Sequence, residues 1–172
     1  MRFLDCALDY LKKDADELAP LTVRTYYWNL KKIALFEPEL ECDAVTSETV
    51  RNYKRYLETL HNKEATVVKA LSVFRIFCNK MKADGVIHGD PFENVKVGRA
   101  YSRRGFLTLR ELKHLYLSYM ESHVALTRAE DDVMRVFLFS CFTGLRYGDL
   151  RTLDASEIFD WKIRKQMHKT TT

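Results

Sequence analysis

The apolar residues of the first hundred positions recur three or four residues apart in four separate stretches. This spacing places them on one face of a helix, with polar and charged residues on the opposite face. The four stretches are residues 3–13, Thr22 to about Phe36, a third that opens at Thr46 or Ser47, and roughly 64–83. Pro38 ends the second stretch and Gly85 ends the fourth. We therefore predict four helices, which at these lengths can close a small bundle.

Residues 85–105 interrupt the helical pattern, because they contain four basic residues, one proline, three glycines besides Gly85 and no helical period. A stretch of this kind is long enough to bridge two packed bodies. We interpret residues 98–105 as a basic linker. It separates a first domain, residues 1–97, from a second, residues 106–172.

The second domain opens with two predicted helices. Thr108 with Glu111 and Thr127 with Glu130 have the spacing of capping boxes, and an apolar run follows each box. The run at residues 133–142 is apolar on nearly all sides. That pattern is typical of a buried central helix in a larger domain.

The remaining residues predict a short helix and a strand. The string from Thr143 to Leu153 turns at a glycine and restarts a helix, and residues 158–167 alternate like a strand. The predicted fold class is therefore mainly α, with a short β segment in the second domain. An almost wholly apolar helix and a lone strand need packing partners that residues 106–172 do not supply, so we expect an incomplete second domain.

The composition supports packed globular domains, since 47% of the 172 residues are hydrophobic and 30% are charged. The net charge of +4 is unevenly distributed along the chain. It is about −4 for residues 1–48, about +7 for residues 49–105 and about +1 for residues 106–172. A basic middle third is typical of a nucleic-acid-binding surface, although a solvated face without a partner explains the charge alone equally well.

The four cysteines lie far apart, without the paired spacing of a zinc site or the framework of a small secreted domain. The five histidines also lack the spacing of metal ligands. No apolar stretch is long enough to span a bilayer, and the first residues do not form a secretory signal. We therefore expect a cytoplasmic protein with reduced, mostly buried thiols and no metal site.

Two strings in the second domain carry a family resemblance. They are Phe106-Leu107-Thr108-Leu109-Arg110-Glu111-Leu112 and Phe142-Thr143-Gly144-Leu145-Arg146-Tyr147-Gly148-Asp149-Leu150. With the preceding helical domain and basic linker, the chain resembles the tyrosine recombinases of the phage-integrase kind over essentially its whole length. The family's motif is Thr-Gly-Leu-Arg, two variable residues, an acidic residue and usually Leu. Weaker matches are Ala65-Thr66-Val67, Gly85-Val86-Ile87 and Asp90-Pro91-Phe92, where the family more often has Asn in place of Asp90.

The resemblance implies a four-helix SAM-like core-binding domain followed by the first part of an α+β catalytic domain. Arg146 corresponds to the family's first catalytic arginine and Asp149 to its acidic companion. A phosphodiester in its pentavalent transition state gathers charge on the non-bridging oxygens, and a guanidinium can bind two of them at once. Lys169 resembles the hairpin lysine that protonates the leaving 5′ oxygen, with Lys162 and Lys165 as alternatives.

The family cleaves one DNA strand through a 3′-phosphotyrosine and rejoins it to a new partner, without metal or nucleotide cofactor. It acts as a tetramer on paired sites in double-stranded DNA. The family's later His-x-x-Arg box and its nucleophilic tyrosine have no counterpart after Lys169. We therefore expect this chain to bind DNA as a monomer without cutting it. The resemblance implies integration of a phage or mobile element as the role of the whole enzyme.

Basic and hydroxyl side chains are the candidates for DNA contact, since most contacts to phosphates come from such groups. The candidates are Arg24, Lys63, Thr66, Lys69, Arg51, Arg103 and Arg104. At most one of Tyr26 and Tyr27 is assigned to DNA, because aromatic residues at helical spacing usually belong to a core. Two alternatives stay open: a helical protein-interaction module and a non-catalytic DNA-binding regulator.

Overall fold

The computed structural model describes residues 1–99 and 105–166, and the chain divides into two compact units, residues 1–103 and residues 104–172. The first unit carries four helices, and the second combines helices with a small hairpin. Three of the candidate site residues lie outside the described residues: Arg103, Arg104 and Lys169. Within the described residues, no helix has both the length and the apolar character needed to cross a bilayer.

The helices of the first unit are α1 (Phe3–Lys13), α2 (Pro20–Phe36), α3 (Ser47–Thr59) and α4 (Glu64–Ala83). The predicted bounds of α1 and α4 are confirmed. So is the threonine cap of α3, because Thr46 Oγ1 accepts a 3.4 Å hydrogen bond from the N–H of Thr49. The predicted start of α2 at Thr22 is wrong. The helix begins at Pro20, since the fixed φ and missing N–H of proline suit the first helical position.

Phe74 of α4 lies at the centre of the hydrophobic core of the first unit. Its ring meets the rings of Phe3, Tyr53 and Phe92 edge to face, with centroids 5.1, 5.7 and 5.6 Å away. All four side chains are buried. These contacts join α1, α3 and the segment after α4 to α4, and edge-to-face pairs add stability beyond the area that they bury.

Arg75 holds the segment after α4 against the helix. Gly85 ends α4 as predicted, with a left-handed φ of 72°. The Arg75 guanidinium lies 4.7 Å from the centroid of the Phe92 ring and donates a 3.1 Å hydrogen bond to the carbonyl oxygen of Val95. Asp90 Oδ1 accepts a 2.8 Å hydrogen bond from the N–H of Phe92. The turn from Asp90 to Phe92 therefore fixes the end of the first unit.

The second unit contains α5 (Leu109–Ser122), α6 (Arg128–Thr143), the short α7 (Tyr147–Leu150), β1 (Ile158–Phe159) and β2 (Lys162–Ile163). Both predicted capping boxes are confirmed. Glu111 Oε2 accepts 2.7 Å hydrogen bonds from the backbone and hydroxyl of Thr108, and Glu130 Oε2 accepts the same pair from Thr127 at 2.9 and 2.7 Å. These hydrogen bonds hold the pKa of both carboxyls below its usual range.

The predicted short β segment of the second domain is confirmed, but it is not the single strand expected over residues 158–167. The chain forms a hairpin instead, in which β1 pairs antiparallel with β2 and Ile158 lies opposite Ile163. Asp160 and Trp161 have positive φ angles of 50° and 57°, the backbone of a tight two-residue turn. The turn reverses the chain where an alternating pattern alone predicts that the strand continues.

The predicted burial of α6 is not found within the described residues. Leu138 is buried, whereas Val133, Phe137 and Phe142 are exposed. The apolar pattern of α6 therefore exceeds what the described residues of the second unit cover. Such a surface needs a further explanation, because large apolar side chains grouped in water are uncommon.

Candidate functional site

Three of the predicted contact residues lie together at the start of α4. Lys63 immediately precedes the helix, Thr66 lies in its first turn and Lys69 follows one turn later. Lys63 and Lys69 are exposed, and Thr66 is half-buried. The structure therefore brings two cations and a hydroxyl to one accessible helix start, where they can meet neighbouring phosphates.

α2 lies beside α4 at Lys69. The Nζ of Lys69 is 5.9 Å from the centroid of the Tyr26 ring, which packs edge to face on Phe77 of α4 at 5.8 Å. Tyr26 is thus partly buried against the core, whereas Tyr27 is exposed. The Nζ of Lys31 lies 5.6 Å from the centroid of the Tyr27 ring. Of the two tyrosines, Tyr27 is the one that the structure leaves accessible to a partner.

The remaining described candidates, Arg24 and Arg51, are exposed on α2 and α3. In the part of the chain that the structure describes, Arg24, Arg51, Lys63 and Lys69 take part in no ion pair. Their charges are therefore available to an anionic partner. Arg24 lies on α2 and Arg51 on α3, and no described contact joins either of them to the residues at the start of α4.

Sequence reasoning missed Trp28, whose side chain is 56% exposed on α2. The spacing of apolar residues along α2 could have indicated it. Leu21, Trp28 and Leu35 recur every seven residues, on the side of the helix opposite the buried Leu30 and Ile33. A second apolar stripe on an otherwise basic helix could have been recognised as an exposed surface.

The string from Thr143 to Leu150 forms a tight turn followed by α7. Gly144 ends α6 with φ 71° and ψ 7°, a left-handed conformation that residues with a Cβ rarely adopt. After this turn, Leu145 is buried, Arg146 is exposed and Asp149 is only 3% exposed. The turn is therefore anchored on its buried side and leaves Arg146 at the surface.

Arg146 is the residue before α7, with an extended backbone of φ −71° and ψ 150°. Within the described residues Arg146 forms no ion pair. The ion pair that we expect between its guanidinium and the Asp149 carboxylate is therefore not among the described contacts. An unneutralised guanidinium can give a bidentate pair of hydrogen bonds to a phosphate. The geometry is compatible with the catalytic role of Arg146, and the roles of Arg146 and Asp149 stay predictions.

Of the alternative general acids, Lys165 is engaged in structural contacts. Its side chain is 5% exposed, and its Nζ donates hydrogen bonds to the carbonyl oxygen of Thr152 at 2.7 Å and to Oε2 of Glu157 at 2.8 Å. This ammonium group lowers the pKa of the Glu157 carboxyl. Lys162 in β2 is exposed. Lys162 is therefore the more available of the two, and Lys169 lies outside the described residues.

The thiols confirm the prediction that they are mostly buried. Cys6, Cys42 and Cys78 are buried and unbridged, and Cys141 is exposed. Burial raises the pKa of the Cys42 thiol to about 11 and that of the Cys78 thiol as well, which disfavours nucleophilic thiolates at neutral pH. Among the described residues, no group of three His, Cys, Asp or Glu side chains could hold a metal ion.

Comparison with protein families identifies the class of protein. Residues 2–97 match the model of the phage integrase SAM-like domain. Because this match spans more than half of the sequence, the chain belongs to the phage integrase SAM-like domain family. The predicted resemblance is thereby confirmed.

Among solved structures, the chain is similar to one described as "Crystal structure of a lambda integrase(75-356) dimer bound to a COC' core site". The sequence identity is 21% and the TM-score is 0.71, and the match covers 92% of this chain and 54% of the other. This chain thus spans about half the length of that structure. The match extends past residue 97, and with the family match it confirms the predicted fold class, a mainly α chain that begins with a SAM-like domain. Comparison with curated proteins finds no match.

Proposed function

We propose that this chain is the DNA-binding portion of a site-specific tyrosine recombinase, which breaks and rejoins DNA through a 3′-phosphotyrosine. The observation that carries the proposal is the turn at Gly144, which presents Arg146 at the surface of a chain whose first unit belongs to an integrase domain family. The family match ends at residue 97, so the turn is a separate feature. Its occurrence beside a SAM-like domain favours a recombinase over an unrelated helical protein.

The first unit binds duplex DNA through a surface that we name the α2–α4 face. This face comprises Arg24, Lys63, Thr66 and Lys69. Its cations form no ion pairs within the described residues, and each phosphate that they contact releases counterions from the duplex. Arg51, Arg103 and Arg104 add phosphate contacts. The similar lambda integrase structure is bound to a COC' core site, which supports the same kind of partner here.

In the whole enzyme, Arg146 stabilises the transition state of strand cleavage. A tyrosine hydroxyl gives up its proton to water and bonds to the phosphorus, the bond to the 5′ oxygen breaks, and that oxygen takes a proton from Lys169 or Lys162. The guanidinium binds the non-bridging oxygens as their charge develops. Asp149, three residues after Arg146, is its buried acidic companion. The phosphotyrosine conserves the phosphodiester bond energy, so religation needs no nucleotide cofactor.

Neither Tyr116 nor Tyr119 of the second unit is the nucleophile. The Tyr119 hydroxyl donates a 2.5 Å hydrogen bond to Asp131 Oδ1 and accepts one of 3.1 Å from Nε of Arg135. The Tyr116 ring packs edge to face on Phe142, with centroids 5.8 Å apart. Both side chains therefore serve the packing of α5 on α6. By itself the chain binds DNA without cleaving it.

The exposed apolar side chains of the second unit fit a domain that packs against further protein in the whole enzyme. Phe106, Leu109, Val133 and Phe142 are each at least 60% exposed. A soluble domain rarely leaves so many large apolar groups in water. We assign this surface to contacts with the rest of the catalytic domain.

Matched lysine substitutions at the two ends of α4 test the proposal. Lys69→Ala removes a cation from the α2–α4 face, whereas Lys82→Ala removes an exposed cation about 20 Å away along the same helix. In fluorescence anisotropy with a mixed-sequence duplex, Lys69→Ala should weaken binding about fivefold, because a phosphate contact is lost. Lys82→Ala should bind like the wild type.

The other outcomes separate the alternatives. Equal weakening by both variants would place the DNA-binding surface elsewhere or show that only net charge matters. No binding by the wild-type chain would favour the helical protein-interaction module. A non-catalytic regulator would bind DNA equally well, and the presence of Arg146-dependent strand transfer in the whole protein distinguishes the recombinase from it.

A further inference from the structure

An exposed stripe of large apolar side chains runs along α2. Leu21, Trp28 and Leu35 lie seven residues apart, which is about two helical turns, and are 73%, 56% and 73% exposed. Leu30 and Ile33, on the opposite side, are buried in the core. The packing of the first unit therefore does not use this stripe.

Cations surround the middle of the stripe. Arg24 precedes Trp28 by four residues, and Lys31 and Lys32 follow it by three and four, so all three lie on neighbouring turns of the same side. The sequence of α2 contains no acidic residue. Within the described residues, none of these three cations joins an ion pair. The surface around Trp28 is therefore positive and apolar at once.

The middle of the stripe and its Leu35 end differ in charge. Just beyond the end of α2, Leu35 is followed by the exposed Glu37 and by Glu39, whose carboxylate pairs with Arg2 at 2.8 Å. Towards α4, the Trp28 ring meets the Tyr27 ring edge to face at 5.5 Å, and the adjacent Tyr26 lies under Lys69. Arg24, one turn before Trp28, belongs to the proposed α2–α4 face, whereas the Leu35 end carries the carboxylate of Glu37, which forms no ion pair within the described residues.

We propose that Trp28 is a DNA contact, which packs its indole on the sugar surfaces of a duplex while Arg24 and Lys31 bind the flanking phosphates. This inference rests on the proposed DNA-binding function. It adds an aromatic contact to a site that is otherwise made of cations and hydroxyl groups. It also explains why α2, a helix without acidic residues, exposes a tryptophan.

The charges favour DNA over a protein partner. An apolar partner helix on this stripe would bury Arg24, Lys31 and Lys32 beside it, which is unfavourable unless acidic groups meet all three. A second copy of α2 would bring the same three cations against one another. A duplex offers closely spaced phosphates beside apolar sugar surfaces, and it therefore matches both properties of the stripe.

Tryptophan fluorescence tests the proposal, because the chain has two tryptophans and the other, Trp161, is fully exposed in the hairpin turn. The Trp161→Phe variant reports on Trp28 alone. With a mixed-sequence duplex, Trp28 emission should be quenched and shielded from iodide. A matched reporter carries Leu35→Trp with both native tryptophans replaced by Phe. It should stay open to iodide, because the unpaired carboxylate of Glu37 repels phosphates at that end.

Affinity, measured by anisotropy with the same duplex, completes the test. Trp28→Ala should weaken binding about tenfold, as expected when a large aromatic side chain is no longer buried against the DNA, and Trp28→Phe should recover most of it. Leu35→Ala should have no effect. Unchanged affinity of Trp28→Ala with an unshielded Trp28 would overturn the inference and leave DNA binding standing. Failure of the wild-type chain to bind would overturn the proposed function itself. Shielding of Trp28 that grows with protein concentration, without DNA, would identify a self-association surface and overturn the inference.

Discussion

The buried hydroxyl of Tyr53 predicts that Tyr53→Phe stabilises the protein. The side chain is inaccessible to solvent among Phe36, Tyr56 and Phe74, and its hydroxyl has no hydrogen-bond partner among the described residues. Burial also raises the pKa of this hydroxyl. A hydroxyl buried without a partner costs about 1 to 3 kcal/mol. The gap left by one oxygen atom costs about 1 kcal/mol or less. We expect the free energy of unfolding to rise by about 1 kcal/mol.

Urea unfolding followed by circular dichroism measures this change. Tyr53→Phe should raise the midpoint without altering the slope of the transition, and should raise the Tm by about 2 to 4 °C. Tyr56→Phe is the matched control, because its ring lies 6.5 Å from that of Tyr53 but is only half-buried. It should change the free energy of unfolding by less than about 0.5 kcal/mol. Destabilisation by Tyr53→Phe would refute the reasoning, since it would show that the hydroxyl is hydrogen-bonded.

Three further predictions concern the turn, the hairpin and the α1–α4 contact. In the whole protein, Arg146→Lys should slow strand cleavage by about 10²- to 10³-fold in a gel assay and leave duplex affinity unchanged. An equal loss of cleavage rate and of duplex affinity would exclude a transition-state role. Lys165→Ala should speed hydrogen exchange over residues 152–165, because the hydrogen bond from Lys165 to the Thr152 carbonyl is lost. Unchanged exchange would show that this hydrogen bond does not stabilise the hairpin. The Tyr10 hydroxyl donates to Asp84, and this hydrogen bond raises the pKa of Tyr10 from 10.0 to about 12. Its stabilising effect is therefore fully present below about pH 10 and is lost towards pH 12, so the stability difference between wild type and Tyr10→Phe should shrink over that range in urea unfolding. A difference that stays constant would contradict this assignment.

Features that depend on a few neighbouring residues could be predicted from the sequence. The capping boxes at Thr108 and Thr127 use side chains three positions apart, and the turn at Gly144 needs a residue that tolerates positive φ. The four helices of the first unit follow from apolar spacing over several turns. The start of α2 was misplaced because a threonine cap and a first-position proline are both local signals, and the proline decided the outcome.

Features that depend on contacts across the fold could not be predicted. The burial of Lys165 requires the Thr152 carbonyl and Glu157 to converge on it, which only the folded hairpin provides. The exposure of Trp28 follows from which side of α2 the core occupies, and an apolar residue by itself predicts the opposite. The helix α6 is exposed because the described residues of the second unit do not cover it, and the spacing of apolar residues does not indicate how many elements pack around a helix.

The salt dependence of duplex binding tests the central claim most directly. A labelled mixed-sequence duplex is titrated with the chain by fluorescence anisotropy at salt concentrations from about 50 to 300 mM, and log affinity is plotted against log salt. The basic candidates for phosphate contact are Arg24, Arg51, Lys63, Lys69, Arg103 and Arg104. If they contact one phosphate each, the slope reaches about −5, and the account predicts tight binding with a slope between about −3 and −5. No binding at the lowest salt concentration, or binding that is indifferent to salt, would contradict it.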